Sequence, residues 1–218
     1  QINLSGFHYD YDNMQVTILQ NTGTHTTNAA SAVSNGFEFE GQVRPLDNFL
    51  ATFGVTYQDA HYTSFTNASA PTPFNGGNAV NLSGQPLERA PRVTANLLLS
   101  YTLPVSFGDF AFQTDWRYTS RYRFQAWSDA RPTTPGALLS SAQAQALVRN
   151  AFSQKPILMG NVRVAWHSLD KKTEVAFWMH NLTNQLTYTN AFGEFFNGNI
   201  SRYPGELRSF GGEGSRSL

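Results

Sequence analysis

Apolar and polar residues alternate along most of the chain with a period of two. Phe37, Phe39 and Val43 fall on one side of an extended segment, with Glu38, Glu40, Gln42 and Arg44 on the other. Phe49, Ala51, Phe53, Val55 and Tyr57 alternate with Leu50, Thr52, Gly54, Thr56 and Gln58 in the same way. Val93 to Tyr101 and Phe110 to Tyr118 repeat the pattern, the second against Gln113, Asp115 and Arg117. Leu158, Val162, Val164 and Trp166 oppose Asn161, Arg163 and His167, and Val175, Phe177 and Met179 oppose Glu174 and His180. Period two places successive side chains on opposite faces of a strand, so each segment predicts an amphipathic strand. Weaker segments at 2–9 and 13–20 and a last one at 206–218 bring the predicted strands to nine. Several reach about ten residues, the length that crosses a bilayer at a tilt, whereas globular strands cluster near 5–6.

The predicted connections alternate in length. Short links at 10–12, 45–48, 103–107 and 168–172 interleave with long ones at 21–32, 64–88, 121–154 and 187–203. An antiparallel meander of this kind has one short-turn side and one long-loop side, as outer-membrane barrels do. Greek-key sandwiches give no reason to sort loops by side. The expected fold is all-β: an antiparallel transmembrane β-barrel meander, a partial barrel with short periplasmic turns and long extracellular loops. The stretch 140–150 breaks the period; its Ala/Gln-rich run behind Ser140 and Ser141 predicts a short helix inside the longest loop. The loop at 64–84, rich in Asn, Ser, Thr, Pro and Gly, is expected to be irregular and mobile.

Composition sharpens this picture. Only 14% of the 218 residues are charged and 14% are aromatic. Tyr57, Tyr101, Trp116, Tyr118 and Trp166 close the apolar faces, where a ring with one polar atom suits a membrane–water interface. The longest apolar run is Val175–Met179, far short of the roughly 20 residues of a membrane helix. The chain has no cysteine, which removes disulfides, thiolate metal sites and cysteine nucleophiles. Zero net charge carries no nucleic-acid footprint. The chain opens on Gln1 rather than Met, so a piece of a longer protein is expected.

Five stretches, in order, resemble TonB-dependent outer-membrane receptors. Asn35–Gly41 with Arg44-Pro45-Leu46 is similar to the family's "KGVEFE…RP" strand and turn. Tyr57-Gln58-Asp59-Ala60-His61-Tyr62 matches an aromatic followed by Asp-Ala-x-Tyr, and Leu82–Pro91 resembles "L-x-G-x-x-L-x-x-A-P". Asn181-Leu182-Thr183-Asn184 looks like "NLTD", and Gly205–Gly211 like the final-strand opening "GEPRTYG". The resemblance implies that 1–218 is the C-terminal portion of such a receptor barrel, with the plug domain and N-terminal barrel strands lying outside the chain. It further implies the bacterial outer membrane, and uptake of a scarce solute such as an iron–siderophore. The implied partners are outer-membrane lipid, a plug domain, a small-molecule or chelate substrate, and the TonB complex through an N-terminal region; no cofactor is implied. Leu218 stands where the family carries a terminal aromatic, and Gly212, Gly214 and Arg216 thin the apolar face of the last strand.

No catalytic set or metal-ligand spacing stands out. The five histidines lie on different segments, and neither an enzyme nor a metal site is expected. Candidate ligand contacts are the loop aromatics Phe65, Phe74, Phe124, Trp127, Phe192, Phe195 and Phe196. Candidate lumen-facing polar residues are Glu38, Glu40, Arg44, Asp115, Arg117 and Arg163, with Glu38 and Glu40 able to pair with Arg44 or Arg163 across the wall. The alternative is a soluble all-β carbohydrate-binding module using the same aromatics as stacking platforms. Detergent-dependent folding separates the two.

Overall fold

A computed structural model describes residues 1–20, 23–70, 78–130, 142–193 and 199–217. Its body is one eight-stranded antiparallel sheet. The strands, in chain order, are β1 (Ile2–Gln20), β2 (Gly23–Leu46), β3 (Phe49–Ser64), β4 (Val93–Val105) and β5 (Gly108–Thr119), followed by β8 (Ile157–Ser168), β9 (Thr173–His180) and β12 (Ser209–Arg216). Small ladders pair β6 (Tyr122–Arg123) with β7 (Ser153–Gln154), and β10 (Tyr188–Gly193) with β11 (Ile200–Pro204). Helix α1 (Ala142–Ala151) lies between β6 and β7, where the sequence predicts it, with Ser140 and Ser141 outside the described residues. The sheet is open: β1 and β12 are its two edges.

The register puts every predicted apolar stripe on one face. Phe37 pairs with Tyr57, Phe39 with Val55, Phe53 with Leu97, Leu97 with Trp116, Phe112 with Val164, and Val164 with Phe177. Opposite them, Glu38 pairs with Thr56, Asn96 with Arg117, Gln113 with Arg163 and Asp115 with Asn161. Phe37, Val55, Phe112, Val175 and Phe177 are exposed although they sit mid-strand, as a lipid-facing surface requires. Aromatic pairs mark both ends of this face. Near the short turns Tyr101 lies 6.5 Å from Phe112, and Phe107 lies 6.4 Å from Trp166. Toward the loops Phe37 stacks on Tyr57 at 5.6 Å. Outward positions of β4 from Val93 to Leu103 span about 34 Å of strand, which a tilt of about 40° reduces to about 26 Å, close to the apolar band of an outer-membrane barrel.

Two sequence expectations are corrected at the N-terminus. Residues 10–12 make no turn and 23–32 are not a loop; both belong to the long β1–β2 hairpin. The ladder absorbs Asp12 and Asn13 as an irregularity between Tyr11 and Met14, with Asn13 at φ 54°. A bulge admits extra residues in one strand without ending the pairing, and Asn tolerates the left-handed backbone. The remaining short links behave as expected: β2–β3, β4–β5 and β8–β9 all turn on one side. At the β4–β5 turn Gly108 has φ 146°, and a Cβ there would meet the His167 carbonyl at 2.0 Å, so only glycine fits.

The described parts of the long links pack into a hydrophobic core. Phe65, Ala68, Val80, Leu82, Phe124 and Phe152 are buried in it. The described parts of the 64–84 loop are irregular, yet they are pinned by paired hydrogen bonds between Ala68 and Val80 and by Leu82 N–H donating to Phe65 O. The motifs that carry the family resemblance interlock here. Asn181, buried at φ 52°, donates to Gln185 O at 2.9 Å and accepts from Gln185 N at 2.9 Å. Arg208 donates to the carbonyls of Asn181 and Leu182. Gln58 donates to Pro91 O, and Asp59 pairs with Arg92 at 3.2 Å.

Candidate functional site

The polar face and the loop core above it form the candidate site. Glu38, Glu40, Asp115, Arg117 and Arg163 all lie on the polar face, at the register positions the alternation assigns them. Arg44 falls in the register break between Val43 and Leu46 and has no partner position on β3. Arg163 meets Glu174, and Glu213 at 2.8 Å, rather than Glu38 or Glu40. The reason is distance across the sheet: β2 and β8 are four strand spacings apart, about 19 Å. His167 bridges Asp109 at 2.8 Å and Glu174 at 3.1 Å, Lys171 pairs with Asp109, and Asn161 donates to Asp115 at 2.7 Å. These bonds tie β5, β8, β9 and β12 together on the wet side near the short turns. A cavity of about 290 Å³ opens beside them, lined by Gln113, Asp115, Arg163 and Trp178.

A larger hollow, about 390 Å³, lies on the same face just under the loops. Thr94, Arg117, Thr119, Ile157 and Met159 supply its wall, and Arg89, Tyr122 and Tyr188 its rim. Arg89 sits in the left-handed region at φ 53° and is anchored by donation to Thr189 O at 3.1 Å and Asn190 Oδ1 at 3.0 Å. Its guanidinium lies 5.6 Å from the centre of the Phe124 ring, within cation–π range. Arg202 covers the Tyr188 ring at 4.1 Å while donating to the carbonyls of Asn150 and Ala151. Burial raises the Tyr122 phenol above its ordinary value, while the charges of Arg89 and Arg117 pull it back down. Burial also lowers the Arg121 guanidinium.

The loop aromatics divide by burial. Phe65, Phe124 and Trp127 are inside the loop core, with Trp127 4.8 Å from Phe152. Phe192 is 44% exposed. Phe74, Phe195, Phe196 and Leu218 lie outside the described residues. Arg89, Tyr122 and Tyr188 were not among the sequence candidates. Arg89 sits in the family-like Leu82–Pro91 stretch, the one signal that marked its neighbourhood. The two tyrosines lie in loop segments with no periodic pattern. Among the described residues no cluster of His, Asp and Glu is arranged to hold a metal ion.

Comparison with known proteins gives a consistent result. None of the curated proteins matches the chain. The fold aligns with the ferric yersiniabactin uptake receptor FyuA of Yersinia pestis at a TM-score of 0.69 and 14% identity, over 99% of this chain and 27% of that one. It aligns with the siderophore receptor PiuA of Acinetobacter baumannii at 0.66 and 14% identity, over 99% and 26%. For BauA, the ferric preacinetobactin receptor of the same organism, the values are 0.60 and 16%, over 98% and 26%. The chain thus spans about a quarter of the length of these structures. A family model described as TonB dependent receptor-like, beta-barrel, matches residues 1–182. An open sheet with an apolar outside, a polar inside and all long loops on one side is a length of such a barrel's wall, and the chain belongs to the TonB-dependent receptor β-barrel family, outer-membrane receptors of Gram-negative bacteria.

Proposed function

We propose that this chain is the C-terminal wall of a receptor that takes up a scarce solute, such as an iron–siderophore, under TonB drive. The polar face carries the reading. It holds hollows and fixed hydrogen-bonding groups, while the opposite face, which a soluble sheet would bury in a dry core, leaves apolar rings exposed mid-strand. Neither β1 nor β12 can present an open edge to lipid, because unpaired backbone groups there have no water to bind. Further strands of the same receptor close the barrel, and a plug domain fills it. In this reading Glu38 and Glu40 face the plug, and Phe192 is available to a ligand arriving from outside. Phe65, Phe124 and Trp127 act indirectly, by holding the loops in shape.

The experiment is radiolabelled ferric-chelate uptake by cells that carry or lack the gene, with and without a functional TonB. Uptake that needs both supports the reading. Uptake unaffected by loss of the gene, or a purified protein that is monodisperse without detergent, overturns it; the second result would favour a soluble carbohydrate-binding module.

A further inference from the structure

The charge around the larger hollow is lopsided. The described segments 84–92, 117–130, 149–155, 187–193 and 199–204 carry eight Arg and Lys residues against two carboxylates of their own, Glu88 and Asp129, while Arg92 is matched by Asp59 of β3. Both carboxylates are already engaged. Asp129 is paired with Arg123 and with Arg149 at 2.9 Å, and Glu88 accepts the Ala126 N–H at 2.7 Å. Neither lines the hollow. Arg117 makes no ion pair with a described residue, and Arg89 donates to a neutral carbonyl and an amide while lying over the Phe124 ring, with the Glu88 carboxylate as its charged neighbour. Ile157, Met159 and Pro91 add apolar surface to the hollow that these cations and the two tyrosines line. Guanidinium groups present planar arrays of N–H donors suited to carboxylates and related oxyanions. Apolar walls with a few converging polar groups, at 300 Å³ or somewhat more, are the usual build of a small-molecule site.

We propose that Arg89 and Arg117, with Tyr122 and Tyr188, form a binding site for a small organic anion that carries a flat apolar body. The anionic head meets the two guanidinium groups, and the body lies against Ile157 and Met159. The inference rests on the receptor reading in one respect: it names the charge class of the solute that reaches this wall. Thr187, Tyr188 and Thr189 line the site from the loop side.

The test uses the full receptor purified from outer membranes in detergent, with benzoate and its neutral counterpart benzamide as probes and ligand-observed NMR as the readout. Benzoate binds saturably and at least tenfold more tightly than benzamide. Arg117→Gln weakens benzoate at least tenfold, and Arg117→Lys, which keeps the charge but not the planar donor array, restores only part of the loss. Arg117 holds no other described side chain, so Arg117→Gln keeps the heat-modifiable migration of the parent; Arg89→Gln, which also releases the 189–190 segment, is the secondary variant. Equal binding of the two probes, no binding of either, or full benzoate binding by Arg117→Gln overturns the site. Ferric-chelate uptake separates this from the broader reading. Uptake without benzoate binding removes the site alone, and Arg117-dependent benzoate binding without any uptake removes the transport reading alone.

Discussion

Phe152 has no exposed surface and packs on Trp127 at the centre of the loop core. Truncation to alanine leaves a cavity that irregular loops close only in part, and buried Phe→Ala changes cost about 3–5 kcal/mol. Phe152→Ala is therefore expected to make the loops sensitive to protease while the sheet stays folded; limited proteolysis followed by mass mapping of the cuts checks this. Glu88 gives a residue-scale pH dependence. Much of it is exposed, yet its carboxyl end is tucked under the loops against Ala126, and burial raises its pKa above the ordinary carboxylate value. A raised folded-state value means that its stabilising contribution is complete below the unfolded pKa and fades as pH rises through the folded one. Loop amides are expected to be better protected at acid pH than at neutral. Glu88→Gln flattens that dependence and keeps the acceptor for Ala126 N–H. Hydrogen exchange, corrected for the intrinsic rate at each pH, measures both.

At the scale of the element, each strand is defined by what its two faces touch. Three close approaches show how locally this is tuned. A Cβ on Gly41 would strike the Phe53 ring at 2.3 Å, one on Gly160 the Trp116 ring at 2.6 Å, and one on Gly211 the Trp178 ring at 2.6 Å. Each glycine is thus roofed by the ring of the neighbouring strand, which covers backbone that would otherwise be bare. Leu97 lies on the outward face of β4 between Phe53 and Trp116, well inside the aromatic ends. Leu97→Arg is expected to cost about 2–4 kcal/mol, as a cation near the bilayer midplane does, whereas Leu98→Arg on the polar face costs much less. Urea titrations of the two variants refolded into lipid give the comparison. Strand identity was legible in the sequence because alternation depends only on which side chain faces lipid. The β1–β2 hairpin was not: Asp10 to Asp12 read as a turn, and what carries the strand past them is pairing on either side of the break, Tyr11 with Ala32 and Met14 with Ala30.

At the scale of the whole molecule, the wall has a fixed sidedness. Short turns gather at one end with the Asp109–His167–Glu174 bonds, and the loop core, the arginines and the larger hollow gather at the other. The full receptor is expected to migrate faster in detergent gels before boiling than after, because a closed β-barrel stays compact until heat breaks its ladder. Identical migration before and after boiling would contradict a barrel. The same sidedness explains why the candidate site was only half visible beforehand. Arg117 and Arg163 sit in periodic strands, so their inward direction could be read from neighbours two residues away. Arg89 and Tyr188 are 99 positions apart in sequence and meet only because the long loops fold back over the polar face.

The sequence alone determined which face of each strand meets lipid, because that depends on the chemistry of alternate side chains and nothing more distant. It also determined the side on which the long loops lie, since loop length alternates along an antiparallel meander. The tertiary structure decided where the hairpin ends, which carboxylate each arginine meets, and which loop aromatics are buried. Those outcomes depend on strand register and on packing between segments far apart in the chain, and no local pattern encodes either.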